Sequence, residues 1–286
     1  MVDLAGKRAL VTGASSGIGA AIARNLADHG VNLVVTARRQ DELDQLATEL
    51  RAKGITVDVV TADLGRSAAA TTLWTEVIAT GPIDILINNA GFGYFRPFAD
   101  ADWHRDAELL QLNVTSLVEL SRRFIESRQG ESRQGESRQG ESRQGDAYLV
   151  NIASIAAYQS VPNFAVYAAS KVFVRNFTEA LHDELVRGHS EISATCICPG
   201  GTTTAFHAAA GAGDYGWLAN ASMLSAEAVA EITVRAMRKR KRTVVTGWLN
   251  KLSCWAVRLV PRSIASWMAG RVLGKPRPSA LPPRGK

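Results

Sequence analysis

"RALVTGASSGIGAAIARNLADHG" occupies residues 8–30, and its three parts follow one another without a break. Arg8–Thr12 is a short run of apolar and β-branched side chains, the mark of a buried strand. Gly13, Gly17 and Gly19 punctuate the turn after it, with Ser15, Ser16 and Ile18 among them. From Gly19 to Asp28 apolar residues recur at helical spacing. Strand, glycine-rich turn and helix in that order build an anion cradle. Gly13 and Gly17 let backbone N–H groups come close to a pyrophosphate, and Gly19 lets the helix approach the sheet. The helix N-terminus adds its positive dipole end. In this context the turn reads as a dinucleotide-binding motif.

The chain repeats the same alternation further on. "NLVVTA" (32–37), "TVDVVTA" (56–62), "DILIN" (84–88), "AYLVNI" (147–152) and "ISATCIC" (192–198) read as buried strands, and "TVVTG" (243–247) as a seventh. Amphipathic stretches of helical length lie between them, such as Asp41–Lys53 and Asp102–Phe124. Strand and helix in alternation predict an α/β fold, a Rossmann-type doubly wound parallel sheet of about seven strands with helices on both faces. Residues 1–247 are expected to form that single domain, followed by a C-terminal helical extension over 248–286. Ligands of such sheets bind at the carboxyl ends of the strands.

Further motifs fall at those ends. "NNAG" (88–91) follows the fourth strand, and Asn113 lies in the helix after it. Ser154 follows the fifth strand in "NIASI", "YAASK" spans 167–171, and "PG" (199–200) follows the sixth strand. Tyr167 and Lys171 share one helix face at i and i+4. A phenol has an ordinary pKa of about 10, and an ammonium beside it stabilises the phenolate and draws the value toward the working range of a proton donor. Ser154 can hold a carbonyl or hydroxyl oxygen by hydrogen bonding.

In order and spacing these elements resemble the short-chain dehydrogenase/reductase family over roughly residues 5–247. The resemblance implies oxidoreduction with a nicotinamide dinucleotide, Tyr167 as the proton donor or acceptor, and Asn113, Ser154 and Lys171 as its catalytic companions. Asn113 is expected to support a water that relays protons to Lys171. It implies cofactor contacts from Gly13, Ser15, Ser16, Gly17, Ile18 and Gly19, from Asp63 and Leu64 after the third strand, and from Asn89, Ala90 and Gly91. Tyr167, Lys171, Pro199, Gly200 and Thr204 complete that set, although Thr202 stands where the family usually has Val. A homodimer or homotetramer is the family's usual assembly.

The end of the second strand decides the cofactor. An acidic residue there would accept from a ribose 2′-OH. The chain has Thr36, Ala37, Arg38 and Arg39 instead, and arginine suits a 2′-phosphate, so NADP is expected over NAD, through Arg38. Arg39 reads as a cap on a solvated helix start. "FGYFRPF" (92–98) and residues 206–223 supply aromatic and apolar surface, which favours an apolar substrate bearing one ketone or alcohol. A binding module that senses dinucleotide without turnover is the alternative function, and the intact Ser154, Tyr167 and Lys171 speak against it.

Hydrophobic residues at 46% and charged residues at 21% are those of a soluble globular chain and exclude a disordered one. Cys196, Cys198 and Cys254 are too few for a disulfide framework, and with no signal peptide they imply a cytoplasmic protein. The alternation of Cys196 and Cys198 in an apolar run suits core packing, and no metal is expected.

Fourteen of the thirty-three basic residues and none of the twenty-seven acidic ones fall in 232–286, so the rest of the chain is net acidic and the tail strongly basic. "RKRKR" (238–242) complements a helix C-terminus, and no nucleic-acid partner is expected. Trp248, Leu252, Trp255 and Leu259 form one apolar stripe in the tail, and Ile264, Trp267, Met268 and Val272 a second. Both stripes are expected to pack on the body, over the substrate pocket or a subunit interface. Peripheral contact with a membrane is the alternative. Residues 126–145 are four copies of ESRQG, without an apolar side chain and with a helix-weakening glycine in each unit. The tract is expected to be a disordered insertion on the amino side of the sheet, opposite the active-site rim.

Overall fold

Side-chain alternation along the strands decides which layer each helix joins. In β1 (Arg8–Thr12) Ala9 and Val11 enter one apolar cluster, and Leu10 enters another on the opposite face. In β2 (Asn32–Ala37) Leu33 and Val35 oppose Val34 in the same way. β3 (Val57–Thr61), β4 (Ile85–Asn88), β5 (Ala147–Ile152), β6 (Ile192–Cys198) and β7 (Thr243–Val245) complete a seven-stranded sheet. Its order is β3-β2-β1-β4-β5-β6-β7, and every pairing is parallel. The doubly wound sheet expected of the sequence is the one found. This computed structural model describes residues 3–133, 146–202 and 223–272.

The helices in chain order are α1 (Gly17–Ala27), α2 (Gln40–Arg51), α3 (Ala69–Ala79), α4 (Trp103–Leu110), α5 (Leu117–Arg133), α6 (Ala165–Arg187), α7 (Ala226–Arg238), α8 (Trp248–Ala256) and α9 (Arg262–Val272). Apolar side chains of α1, α2 and α7 fill one cluster, and those of α3, α5 and α6 fill the other. Each fully buried leucine among them, such as Leu26, Leu43 or Leu73, stabilises by about 1.5–3 kcal/mol. The chain winds outward in opposite directions from β1 and β4, so their carboxyl ends flank the crevice of the fold.

Three features differ from the sequence expectation. The helix expected over Asp102–Phe124 is interrupted: a π-helical turn spans Gln111–Ser116, between α4 and α5. Asn113 lies within this turn and is fully buried. Such turns often mark functional positions, because they shift one side chain out of helical register.

The disorder expected of the repeat does not hold for its first residues, because α5 continues through Arg133. Ser, Arg, Gln and Glu cost little in a helix that is already nucleated. Arg122 pairs with Glu126 one turn on, at 2.7 Å. Arg128 is drawn into the fold by Asp84, at 3.3 Å with both side chains only 6% exposed. Asp84 also accepts from the backbone N–H of Arg8 at 2.9 Å, at the amino ends of β1 and β4. The repeat therefore leaves the fold on the side away from the crevice, and its remainder lies outside the described residues.

The tail forms the two helices expected of it, but their orientation is reversed. Asn250, Cys254, Ala265 and Ala269 face inward, while Trp248, Leu252, Trp255, Leu259, Ile264, Trp267 and Met268 are exposed. Small residues let the helices settle closely on the body. A Cβ on Gly200 would sit 2.1 Å from Asn250 Nδ2, and one on Gly270 would meet Pro162 at 3.2 Å. Close seating of the small-residue face leaves the large side chains outside.

Candidate active site

The glycine-rich turn is held from below by the segment after β4. Thr12 Oγ1 accepts from the N–H groups of Asn89 and Ala90, both at 3.0 Å, and donates to Ile87 O at 3.2 Å. Asn89 Nδ2 donates to Thr12 O at 2.9 Å and to Gly13 O at 3.2 Å. Gly13 has φ +68°, and a Cβ there would meet Asn89 Nδ2 at 2.8 Å. A Cβ on Gly19 would lie 2.3 Å from Gly13 O, so only glycine lets α1 begin this close to the turn. The result is a turn with its backbone fixed and its outer face open.

At the far end of the same crevice stand the two arginines. Arg38 Nη1 reaches Glu108 at 3.4 Å, with a largely exposed side chain. Arg39 Nη2 donates to Ser15 Oγ at 3.0 Å and to Ser16 Oγ at 2.9 Å, and its Nη1 pairs with Glu42 at 2.9 Å. Arg39 holds the N-cap position of α2 but its side chain makes no capping hydrogen bond there, because a guanidinium only donates; it lies instead on the serines of the glycine-rich turn. Asp63 accepts from Gly65 N–H at 3.1 Å, and Ser116 Oγ donates to Leu64 O at 2.7 Å, which ties the π-helical turn to the end of β3.

At the near end, α6 presents Tyr167 and Lys171. Lys171 Nζ donates to Ile152 O at 2.9 Å and lies 5.8 Å from the centre of the Tyr167 ring. Burial pushes Lys171 down to about 8. Asn113 Nδ2 donates to Phe92 O at 2.9 Å and to Ser170 Oγ at 3.1 Å, and Asn113 Oδ1 accepts from Phe92 N–H at 3.1 Å. A Cβ on Gly91 would stand 2.9 Å from Asn113 Oδ1 and 3.4 Å from Lys171 Nζ, so these two polar groups face one small space. Ser154 follows β5 and caps a short 3-10 helix by accepting from Ala156 N–H at 3.1 Å. Phe164 stacks on Tyr167 with ring centres 4.2 Å apart, and Phe95 packs edge-on against Phe164. A Cβ on Gly93 would press 2.5 Å from Tyr167 Cδ2, so Gly93 too sets the position of that ring.

One cavity of about 970 Å³ joins the two ends. Gly13, Ser15, Ser16, Gly17, Ile18, Arg38, Asp63 and Leu64 line it, as do Asn89, Ala90, Gly91, Ser154, Tyr167, Lys171, Pro199 and Gly200. Gly19 and Asn113 sit behind the lining and act through Gly13 and Phe92. Thr204 lies outside the described residues, as do residues 206–222 of the expected apolar segment. Of the residues flagged near it, Thr202 is buried, forms a bridge with Leu224 and lines the cavity.

Several lining residues carry no motif. Gln159, Val161 and Phe164 come from the loop before α6, and Leu249, Leu252 and Met268 from the tail. The apolar stripes of the tail already placed Leu252 and Met268 over a pocket, and the i, i+3 spacing of Phe164 and Tyr167 could have signalled Phe164. The open cradle at Gly13 and Gly17 and the helix N-terminus beside it fit the pyrophosphate of a dinucleotide in shape and charge.

A sequence model of the short chain dehydrogenase family matches residues 7–214. A dehydrogenase/reductase SDR family member 11 from Gallus gallus is 32% identical over 206 residues, 70% of this chain and 76% of that protein. A short-chain dehydrogenase from Sphingobium yanoikuyae in complex with NADPH superposes with a TM-score of 0.74 at 25% identity, covering 98% of this chain and all of that one. A short chain dehydrogenase/reductase from Burkholderia phymatum in complex with NAD has a TM-score of 0.76 at 24% identity, covering 97% of this chain.

Proposed function

The chain belongs to the short-chain dehydrogenase/reductase family of dinucleotide-dependent oxidoreductases, and we propose that it interconverts a ketone or aldehyde and an alcohol on an apolar substrate with NADP. The reading is carried by one observation: Ser154, Tyr167 and Lys171 open onto the same cavity as the glycine-rich turn and both arginines. The dinucleotide, when bound, supplies or accepts the hydride at its nicotinamide ring. Ser154 donates a hydrogen bond to the substrate oxygen and orients it toward Tyr167. The Tyr167 O–H gives its proton to that oxygen in reduction and takes it back in oxidation. The Lys171 ammonium, buried beside the ring, favours the phenolate left behind and passes a proton onward across the space it shares with Asn113.

Arg38 and Arg39 are assigned to a ribose 2′-phosphate, since each can offer a planar guanidinium and the two positions directly after β2 hold arginine rather than a carboxylate. One similar structure holds NADPH and another NAD, so the assignment rests on the two arginines. Phe92, Phe95, Phe164, Leu252 and Met268 give the substrate end an apolar wall. Exposed Leu110 on α4 and Phe173 on α6 mark a helix face for pairing with a second copy. Oxidation of NADPH and NADH is to be followed with ketones and aldehydes of graded size. Turnover of bulky apolar carbonyls with NADPH in preference to NADH is expected, and a clear preference for NADH overturns the cofactor assignment.

A further inference from the structure

The tail exposes what a helix pair packed on its own body would hide. Trp248, Trp255 and Trp267, with Leu252, Leu259, Ile264 and Met268, all face solvent, and Trp248 is 73% exposed. Lys251, Arg258, Arg262 and Arg271 are exposed on the same two helices and their connection. The Arg271 guanidinium lies over the Trp267 ring at 4.3 Å, a cation held at an apolar edge. Residues 232–286 contain no Asp or Glu at all. Leu252 of α8 and Met268 of α9 are at once exposed and part of the cavity lining, so the outer faces of both helices meet at the rim of the cavity.

We propose that α8 and α9 seat the protein in the plane of an anionic lipid surface, with the cavity mouth opening against the lipid. Large apolar side chains with tryptophan, flanked by unopposed cations, are what an interfacial helix needs. Each cation near an anionic leaflet adds to the attraction. A second copy is the poorer occupant, because a two-fold contact would set this patch, with Arg258, Arg262 and Arg271 and no acidic residue, against an identical cationic patch. No helix among the described residues is long and apolar enough to cross a membrane, so the contact lies in the surface plane. The remaining acidic balance of the chain lies outside residues 232–286 and is repelled by the same lipid. Resting on the carbonyl/alcohol reading above, this placement names the substrate class: lipophilic ketones or alcohols that partition into the bilayer and reach the cavity from it.

The test is co-sedimentation of the full chain with phosphatidylcholine vesicles, with and without phosphatidylserine. Two variants join it: Trp255→Ser with Trp267→Ser, and Arg258→Glu with Arg262→Glu. None of these side chains lines the cavity, so turnover of a water-soluble ketone with NADPH reports on folding and catalysis in each variant. Wild-type protein should pellet with the phosphatidylserine vesicles and be released by high salt, and each double variant should bind at least about tenfold more weakly. A long-chain ketone supplied in those vesicles should be reduced faster by wild type than by either variant. Wild-type protein that stays in the supernatant, or variants that bind as well as wild type, would overturn the docking. Vesicle binding without any NADPH turnover overturns the catalytic reading and leaves the docking in place.

Discussion

Lys171 is the residue whose environment makes the sharpest demand on the chemistry. It is buried beside Tyr167, and burial holds it down at about 8. Below that value it is an ammonium that favours the Tyr167 phenolate; above it the charge is lost. The kcat/KM for carbonyl reduction should therefore fall as pH rises through about 8, because this ratio reports groups of the free enzyme. A profile that stays level well past this point contradicts the role given to the ammonium. Stability moves in the opposite direction. The folded-state value lies below that of an unfolded lysine, so the unfolded chain binds more protons between about 8 and the ordinary lysine range. This group's contribution to stability thus rises with pH across that window. At the far end of the crevice, Arg38→Ala combined with Arg39→Ala should raise KM for NADPH by roughly 10- to 100-fold, the loss of one or two charge-assisted hydrogen bonds of about 1.5–3 kcal/mol. KM for NADH should barely change. Equal losses with both cofactors would mean that the arginines hold the glycine-rich turn through Ser15 and Ser16 rather than a phosphate.

Elements, rather than residues, explain the repeat. Its first copy and the start of its second form the last part of α5, anchored by Arg128 on Asp84 under the amino ends of β1 and β4. Deleting three copies and leaving residues 126–130 keeps that anchor and removes only the last three residues of α5 and the connection to β5. The entropy of closing a loop changes slowly with its length, so thermal stability should shift by less than about 1 kcal/mol and turnover should persist. Arg128→Ala should behave differently, lowering stability by about 3 kcal/mol in denaturant titration, because it takes the guanidinium away from a buried carboxylate. Comparable stability for the two variants would show that the helical copy is dispensable. The π-helical turn at Gln111–Ser116 has a similar logic on the active side of the sheet. It directs Asn113 toward Phe92 and Ser170 while Ser116 reaches back to Leu64, so one distortion orients two layers of the site.

For the whole molecule, what the sequence made legible was whatever repeats in a fixed order. The period-2 split of β1 and β2, the glycines at 13, 17 and 19, and Ser154, Tyr167 and Lys171 are local patterns with one physical reading each, and they carried the fold and the core of the site. What escaped depends on contacts between distant segments. Arg39 reads as a capping residue until the turn brings Ser15 and Ser16 to it. An ESRQG unit reads as disordered until Asp84, far off in sequence, draws Arg128 inward. The apolar stripes of the tail give the spacing of a packed helix, and nothing local says that Gly200 will admit Asn250 and so turn the small side chains inward. The central claim joins these parts: a dinucleotide cradle and a Tyr167 proton donor act in one cavity. Its most direct test measures NADPH binding and single-turnover ketone reduction side by side in wild type and Tyr167→Phe. Cofactor affinity should stay within about twofold while the rate falls at least about 100-fold, as expected when a positioned proton donor is removed. A Tyr167→Phe protein that reduces the ketone at close to the wild-type rate would contradict the account.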